Sequence, residues 1–182
     1  MKKFIYTFLF CRILGWKIKS SLTENTKKCI LLVAPHTSWF DFFIGVFTRG
    51  ILKMEMNFVA KKELFVFPFN YYFKWMGGTP LNRSKNENKV DAIASIFEQK
   101  EVFRLAIAPE GTRKKVKEFK TGFYFISKKA NVPIIPVVFD YGNKEVRLLD
   151  AFIPTDNKEK DFDYLYSIFR GVKGKFPEKS FD

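Results

Sequence analysis

A chain of 182 residues is about the size of one ordinary domain, long enough to bury a core without disulfides, and two cysteines with a single histidine are too few for a soft-ligand zinc site. Lys and Arg outnumber Asp and Glu by 32 to 19, and the resulting net charge of +13 draws the protein to an anionic surface. The 23 phenylalanines favour a membrane over nucleic acid as that surface, and nothing in the cysteine count asks for an oxidising compartment, so a reducing cytoplasm fits.

The first 20 residues carry Lys2 and Lys3 ahead of an apolar stretch, 4–11, that Arg12 interrupts. That stretch is far short of the ~20 residues a spanning helix needs, and no small-residue cleavage site follows it. An amphipathic segment is expected, lying in a membrane interface or packed on the domain's own core. Residues 21–182 then read as one domain.

Residues 30–34, Ile-Leu-Leu-Val-Ala, are a continuous apolar run closed by Pro35, the pattern of a strand buried on both faces of a parallel sheet. Residues 41–54 have a helical spacing of apolar side chains, with Gly50 as a weak point. A second strand is expected at 57–60, and the aromatic-dense stretch 64–76 is expected to be helical in parts and broken at Pro68. Residues 77–80, Gly-Gly-Thr-Pro, are turn chemistry.

The clearest helix covers 86–100, where Val90, Ile93, Ala94 and Phe97 stand at i, i+3, i+4 and i+7 among charges. Strands follow at 102–108 and, after a helix at 121–130, at 132–139 and 145–152. Phe162, Leu165, Tyr166, Phe169 and Val172 give a closing amphipathic helix. Strands alternating with helices predict a single-domain α/β fold, a mostly parallel sheet flanked by helices.

The chemistry-bearing residues follow two of the apolar runs. His36 is the only histidine, and Asp41 stands five places after it. On a regular helix residues five apart differ by roughly 140° about the axis, so the two meet only if His36 lies in the turn before the helix. There Asp41 can accept from one ring nitrogen and leave the other free as a general base. Thr37 or Ser38 is a candidate helix cap.

Residues 108–113, Ala-Pro-Glu-Gly-Thr-Arg, supply a turn at Gly111, a hydroxyl at Thr112 and a guanidinium at Arg113, a set suited to a phosphate. Arg83 offers a second guanidinium after the Gly77-Gly78 turn. Lys114, Lys115, Lys117 and Lys120 surround the first turn and read as a solvated charge run. No G-x-S-x-G elbow is present, and neither Cys11 nor Cys29 lies near a motif, which argues against a serine or cysteine hydrolase. A nucleic-acid module has no use for Glu110 amid its basic residues.

Taken together, these residues resemble the phospholipid and glycerol acyltransferases, the group that includes 1-acylglycerol-3-phosphate acyltransferase. His36 and Asp41 match the family's H-x4-D element, residues 77–83 its glycine-to-arginine element, residues 108–113 its F/A-P-E-G-T-R element and residues 132–137 its V-P-I-I-P-V element. Pro35 stands where the family often has asparagine.

The resemblance implies transfer of a fatty acyl group from acyl-CoA or acyl carrier protein to the hydroxyl of a lysophospholipid, with no cofactor, metal or acyl-enzyme. It assigns His36 as base and Asp41 as its orienting carboxylate. Arg83, Glu110, Gly111, Thr112 and Arg113 become the acceptor's contacts, and Lys61 a further one. It also implies a cytoplasmic enzyme, peripheral on the inner face of an anionic membrane, with no nucleic acid as partner. A non-catalytic lipid-binding protein at the membrane surface is the alternative.

Overall fold

The computed structural model describes residues 2–23, 26–81 and 88–182. The side chains of Lys2, Lys61 and Leu64 lie outside that description. The chain opens with α1 (Lys2–Thr7), which continues as a π-helical turn (Phe8–Ile13). Then follow β1 (Lys17–Ser20), β2 (Lys28–Ala34), α2 (Asp41–Leu52), β3 (Phe58–Lys61), α3 (Phe69–Trp75) and β4 (Gly78–Leu81). The remainder is α4 (Lys89–Gln99), β5 (Phe103–Ile107), α5 (Gly122–Ala130), β6 (Ile134–Asp140), β7 (Glu145–Leu148) and α6 (Lys158–Phe169).

Five strands form the main sheet in the order β1-β7-β6-β2-β5, and only the β6–β7 pair is antiparallel. A parallel strand needs a covering layer on each face, and β2 supplies both faces from one apolar run. Ile30, Leu32 and Ala34 point into a core shared with Phe97 of α4, Phe123 of α5 and Leu165 of α6. Cys29 and Leu31 point the other way, into a core shared with Ile44 of α2, Phe10 and Trp16. Helices therefore cover both faces, as the alternating pattern predicted. Truncating a residue such as Leu32, wholly buried, costs about 2–5 kcal/mol.

Local chemistry sets the element ends. Asn88 caps α4 by accepting from the Val90 N–H, and Asn157 caps α6 by accepting from the Lys160 N–H. Asn131 takes a left-handed conformation that stops α5 just before β6.

Three details differ from the sequence reading. Residues 78–81 are a strand, because β4 pairs in parallel with β3, and a strand at the edge of a two-stranded ribbon tolerates Pro80. β1 was not foreseen: Lys-Ile-Lys-Ser is too polar to read as a strand, yet it pairs with β7 at the sheet's edge. The last strand stops at Leu148, and Phe152 makes only an isolated bridge to Ile134.

The β3–β4 ribbon is tied to the edge of the sheet through Asn57. Its N–H donates to the Arg104 carbonyl at 2.7 Å, and its carbonyl accepts from the Ala106 N–H at 2.8 Å. β5, β2 and β6 lie side by side and parallel, so the loops after all three open on one edge, where α/β sheets bind ligands. Those loops carry His36, Glu110 and Tyr141.

Candidate active site

His36 follows β2 after one residue, and Asp41 is the first residue of α2, so the intervening turn folds the ring back onto the carboxylate. His36 Nδ1 lies 3.0 Å from Asp41 Oδ2. The same Oδ2 accepts the N–H groups of Thr37 and Ser38, each at 2.9 Å, and Oδ1 accepts the Tyr141 hydroxyl at 2.6 Å. Four donors thus hold one buried carboxylate at the positive end of α2. An ionised carboxylate only accepts, so Nδ1 carries the proton and Nε2 is left with a free lone pair. The imidazole side chain keeps 30% of its exposure, enough to meet a substrate.

Neither candidate cap works as the sequence suggested. α2 has Phe40 at its N-cap with no side-chain bond, and the Asp41 carboxylate instead holds the N–H groups of Thr37 and Ser38 in the turn before the helix. Ser38 Oγ accepts from the Phe40 N–H at 3.1 Å, and Thr37 Oγ1 accepts from the Phe176 N–H at 3.2 Å.

Glu110 is buried beside the histidine, and its Oε1 accepts the His36 backbone N–H at 2.8 Å. The second element of the sequence is therefore bonded to the first across the β2–β5 pair. Burial pushes the Glu110 carboxyl above the usual range, outweighing the N–H donors of His36 and of Glu110 itself. Its Oε2 is buried with no partner among the described residues.

Gly111 makes the turn with φ +62, a conformation glycine adopts without strain. Thr112 is half-buried and Arg113 exposed on the same loop. Lys114, Lys115, Lys117 and Lys120 are exposed, and Lys120 also closes the loop through its N–H to the Pro109 carbonyl at 2.8 Å. Lys61 ends β3 opposite Leu81 of β4. Arg83 lies outside the described residues, two places beyond Leu81.

Sequence reasoning missed Tyr141. A signal was present, since Tyr141 lies two places beyond the apolar run at 132–139, where the loop after a buried strand begins. It also missed the cavity: a space of about 300 Å³ runs between α2 and the sheet, with His36 and Asp41 in its wall. Leu31, Val33 and Val137 line it from the sheet, Phe42 and Gly45 from α2, and Met56, Phe58 and Met76 from the segments around the ribbon. Two more open hollows, beside Tyr124 and beside Glu118, share no residue with it.

The thiols offer no rival nucleophile at this site. Burial pushes Cys29 up to about 12, so it stays a thiol, and Cys11 belongs to the N-terminal helical turn. Among the described residues no three imidazole, thiol or carboxylate groups gather as metal ligands.

Comparison with known proteins places the chain in a family. The chain is 32% identical over 174 residues to a 1-acyl-sn-glycerol-3-phosphate acyltransferase of Saccharomyces cerevisiae, covering 82% of this chain and 55% of the relative. It is 32% identical over 166 residues to a probable 1-acyl-sn-glycerol-3-phosphate acyltransferase of Mycoplasma pneumoniae, covering 84% of this chain and 61% of that protein. The chain thus spans little more than half the length of these relatives.

Its fold is similar to the crystal structure of the 1-acyl-sn-glycerophosphate acyltransferase of Thermotoga maritima, with a TM-score of 0.60 at 22% identity over 92% of this chain and 73% of the other. The family model described as Acyltransferase matches residues 17–140, from β1 to the end of β6 and including every sequence-predicted site residue. This chain belongs to the acyltransferase family.

Proposed function

We propose that this protein moves a fatty acyl group from a thioester, acyl-CoA or acyl carrier protein, to the hydroxyl of a lysophospholipid such as 1-acylglycerol-3-phosphate. The observation that carries the reading is the pairing of His36 with Asp41 in the wall of an apolar cavity. A free Nε2 suits a general base, and a narrow apolar space beside it suits an acyl chain. The names of the relatives point to the same reaction.

In the proposed reaction Nε2 takes the acceptor's hydroxyl proton as the oxygen attacks the thioester carbonyl carbon. The C–S bond then breaks, the ester remains on the acceptor, and the imidazolium returns its proton to the departing thiolate. Asp41 stabilises the imidazolium meanwhile and keeps the ring oriented. No acyl-enzyme forms. Arg113, Thr112 and the Gly111 turn hold the acceptor's phosphate, with Arg83 and Lys61 as further cations, and Glu110 serves that site by fixing the His36 backbone.

The protein would work at an anionic membrane on its cytoplasmic face. The net charge of +13 and the exposed apolar side of the N-terminal helix, Phe4, Phe8 and Ile13, support that placement. Among the described residues no helix is long and apolar enough to cross a membrane.

The test is a mass-spectrometric screen of the purified protein against a lysolipid panel, with acyl-CoA and acyl carrier protein donors in parallel. A diacyl product carrying the donor's chain is expected. Lipid binding without turnover on any donor would instead favour a lipid carrier.

A further inference from the structure

The segment from Val66 to Trp75 has a composition that the reaction does not use. α3 carries Phe69, Tyr71, Tyr72, Phe73 and Trp75 in seven residues, and none of its residues is buried. Phe67 before it is 82% exposed, Tyr71 70% and Trp75 62%. A seven-residue helix is too short to hold itself together in water, and one that packs none of its rings fully is supported weakly by its own domain. Scattered exposed apolar residues are ordinary, but five aromatic rings within one turn-bounded segment form a patch.

The place of this patch in the fold matters as much as its composition. Met76, directly after α3, lines the cavity that reaches His36, as does Phe58 of the neighbouring strand. The Arg49 guanidinium of α2 donates to the Met76 carbonyl, and at the next position Gly50 receives the Tyr6 ring so closely that an added Cβ would collide with it. α1 and the end of α3 are therefore both seated on the C-terminal half of α2. The exposed rings of Phe4 in α1 and Phe8 in the turn after it, and those of α3, thus belong to segments that meet the same helix.

We infer that the aromatic segment 66–75 is a second lipid-contacting element, which with the N-terminal helix seats the protein on an anionic bilayer with the cavity opening at the lipid surface. Tyr and Trp are the residues that prefer the headgroup boundary, since each ring has an apolar body and a polar edge. Lys62 and Lys74 are exposed in and beside the segment and Lys53 at the end of α2, against exposed Glu55 and Glu63, so cations outnumber acids there, and the whole chain carries +13. That charge complements an anionic leaflet. The inference deepens the acyltransferase reading and rests on it only for the use of the contact, to admit lipid chains to the cavity without passage through water.

The test uses the full chain with Trp39→Phe, which leaves Trp75 in the segment and Trp16, only 5% exposed, in the core. Vesicles of phosphatidylglycerol and phosphatidylcholine with brominated acyl chains are added with no acyl donor present, so the result stands whether or not the protein transfers acyl groups. A blue shift and quenching of the emission are expected, and a Trp39→Phe/Trp75→Phe control should lose both. A Phe67→Ser/Tyr71→Ser/Trp75→Ser variant, checked for folding by circular dichroism, should bind the same vesicles about tenfold or more weakly. It should retain turnover on a short-chain acceptor below its micelle concentration.

Emission unchanged by vesicles, or triple-variant binding equal to the parent's, overturns the inference. A triple variant that converts a vesicle-free dimer to monomer, with vesicle binding unaltered, overturns it also and assigns the patch to a second copy of the chain. Should the triple variant not fold, the quenching result on the Trp39→Phe chain decides alone.

Discussion

The hydroxyl of Tyr141 donates to Oδ1 of Asp41 at 2.6 Å, the oxygen that His36 does not use. Burial first, and then the Asp41 carboxylate, push the phenol well above its usual range, so it stays a donor at any working pH. Tyr141 lies one residue beyond the stretch matched by the family model. It acts through Asp41 as a positioning residue. Tyr141→Phe removes a hydrogen bond to a charged group, and kcat should fall about tenfold or more with KM little changed. Steady-state kinetics check the split; a raised KM with kcat intact would contradict it.

The loop before α2 is also braced by the C-terminal tail. An added Cβ on buried Gly174 would meet Thr37 at 2.7 Å, and Lys175 stands over the Phe40 ring at 4.0 Å. Gly174→Ala should therefore destabilise the fold by about 1–3 kcal/mol and displace the His36 turn. Gly122, exposed at the start of α5 with nothing within 4 Å, is the control: Gly122→Ala should be neutral or stabilising by up to ~1 kcal/mol. Denaturant unfolding of both variants compares them.

Gly45 lines the cavity, and nothing lies within 4 Å of its added Cβ. A Leu there fits the fold and fills space in which a donor chain would lie. Gly45→Leu should cut kcat/KM for the longest accepted acyl donor by about tenfold while sparing short donors. Stability should not fall, since Gly in a helix interior costs ~1 kcal/mol against better helix formers. An unchanged chain-length profile would place the acyl chain elsewhere.

Glu110 predicts a pH dependence with a definite sign. Its raised value means that the folded protein favours the protonated acid. Its contribution to stability is complete below the ordinary glutamate range and is lost as pH rises through the raised folded value. Glu110→Gln does not titrate and keeps an acceptor for the His36 N–H. The thermal midpoint of the Gln variant should therefore gain on the parent's as pH rises above the ordinary glutamate range and through the raised folded value. A gap that is constant with pH would contradict the burial of an acid there.

Much of this was legible in the sequence where a single run of residues decides the structure. The run at 30–34 is apolar on both faces, so its central place follows from composition, and the spacing of His36 and Asp41 forces the ring into the preceding turn. Elements whose partners are distant were not legible. β1 is polar and exists because β7 is beside it, and β4 hides behind a glycine and a proline. Tyr141 meets Asp41 across 100 residues of chain, and Thr37 meets Phe176 across 139. The cavity arises between side chains of five strands and one helix, which no local window contains.

The base assignment is tested most directly by His36→Ala, assayed for transfer of a labelled acyl group to 1-acylglycerol-3-phosphate, with circular dichroism to establish folding. Removing a general base costs about 10²–10⁴-fold in rate, and with Asp41 still held by Thr37, Ser38 and Tyr141 the fold should persist. A folded His36→Ala protein that has lost transfer by that factor is the predicted result; a folded His36→Ala protein that still transfers at the parent's rate would contradict the account.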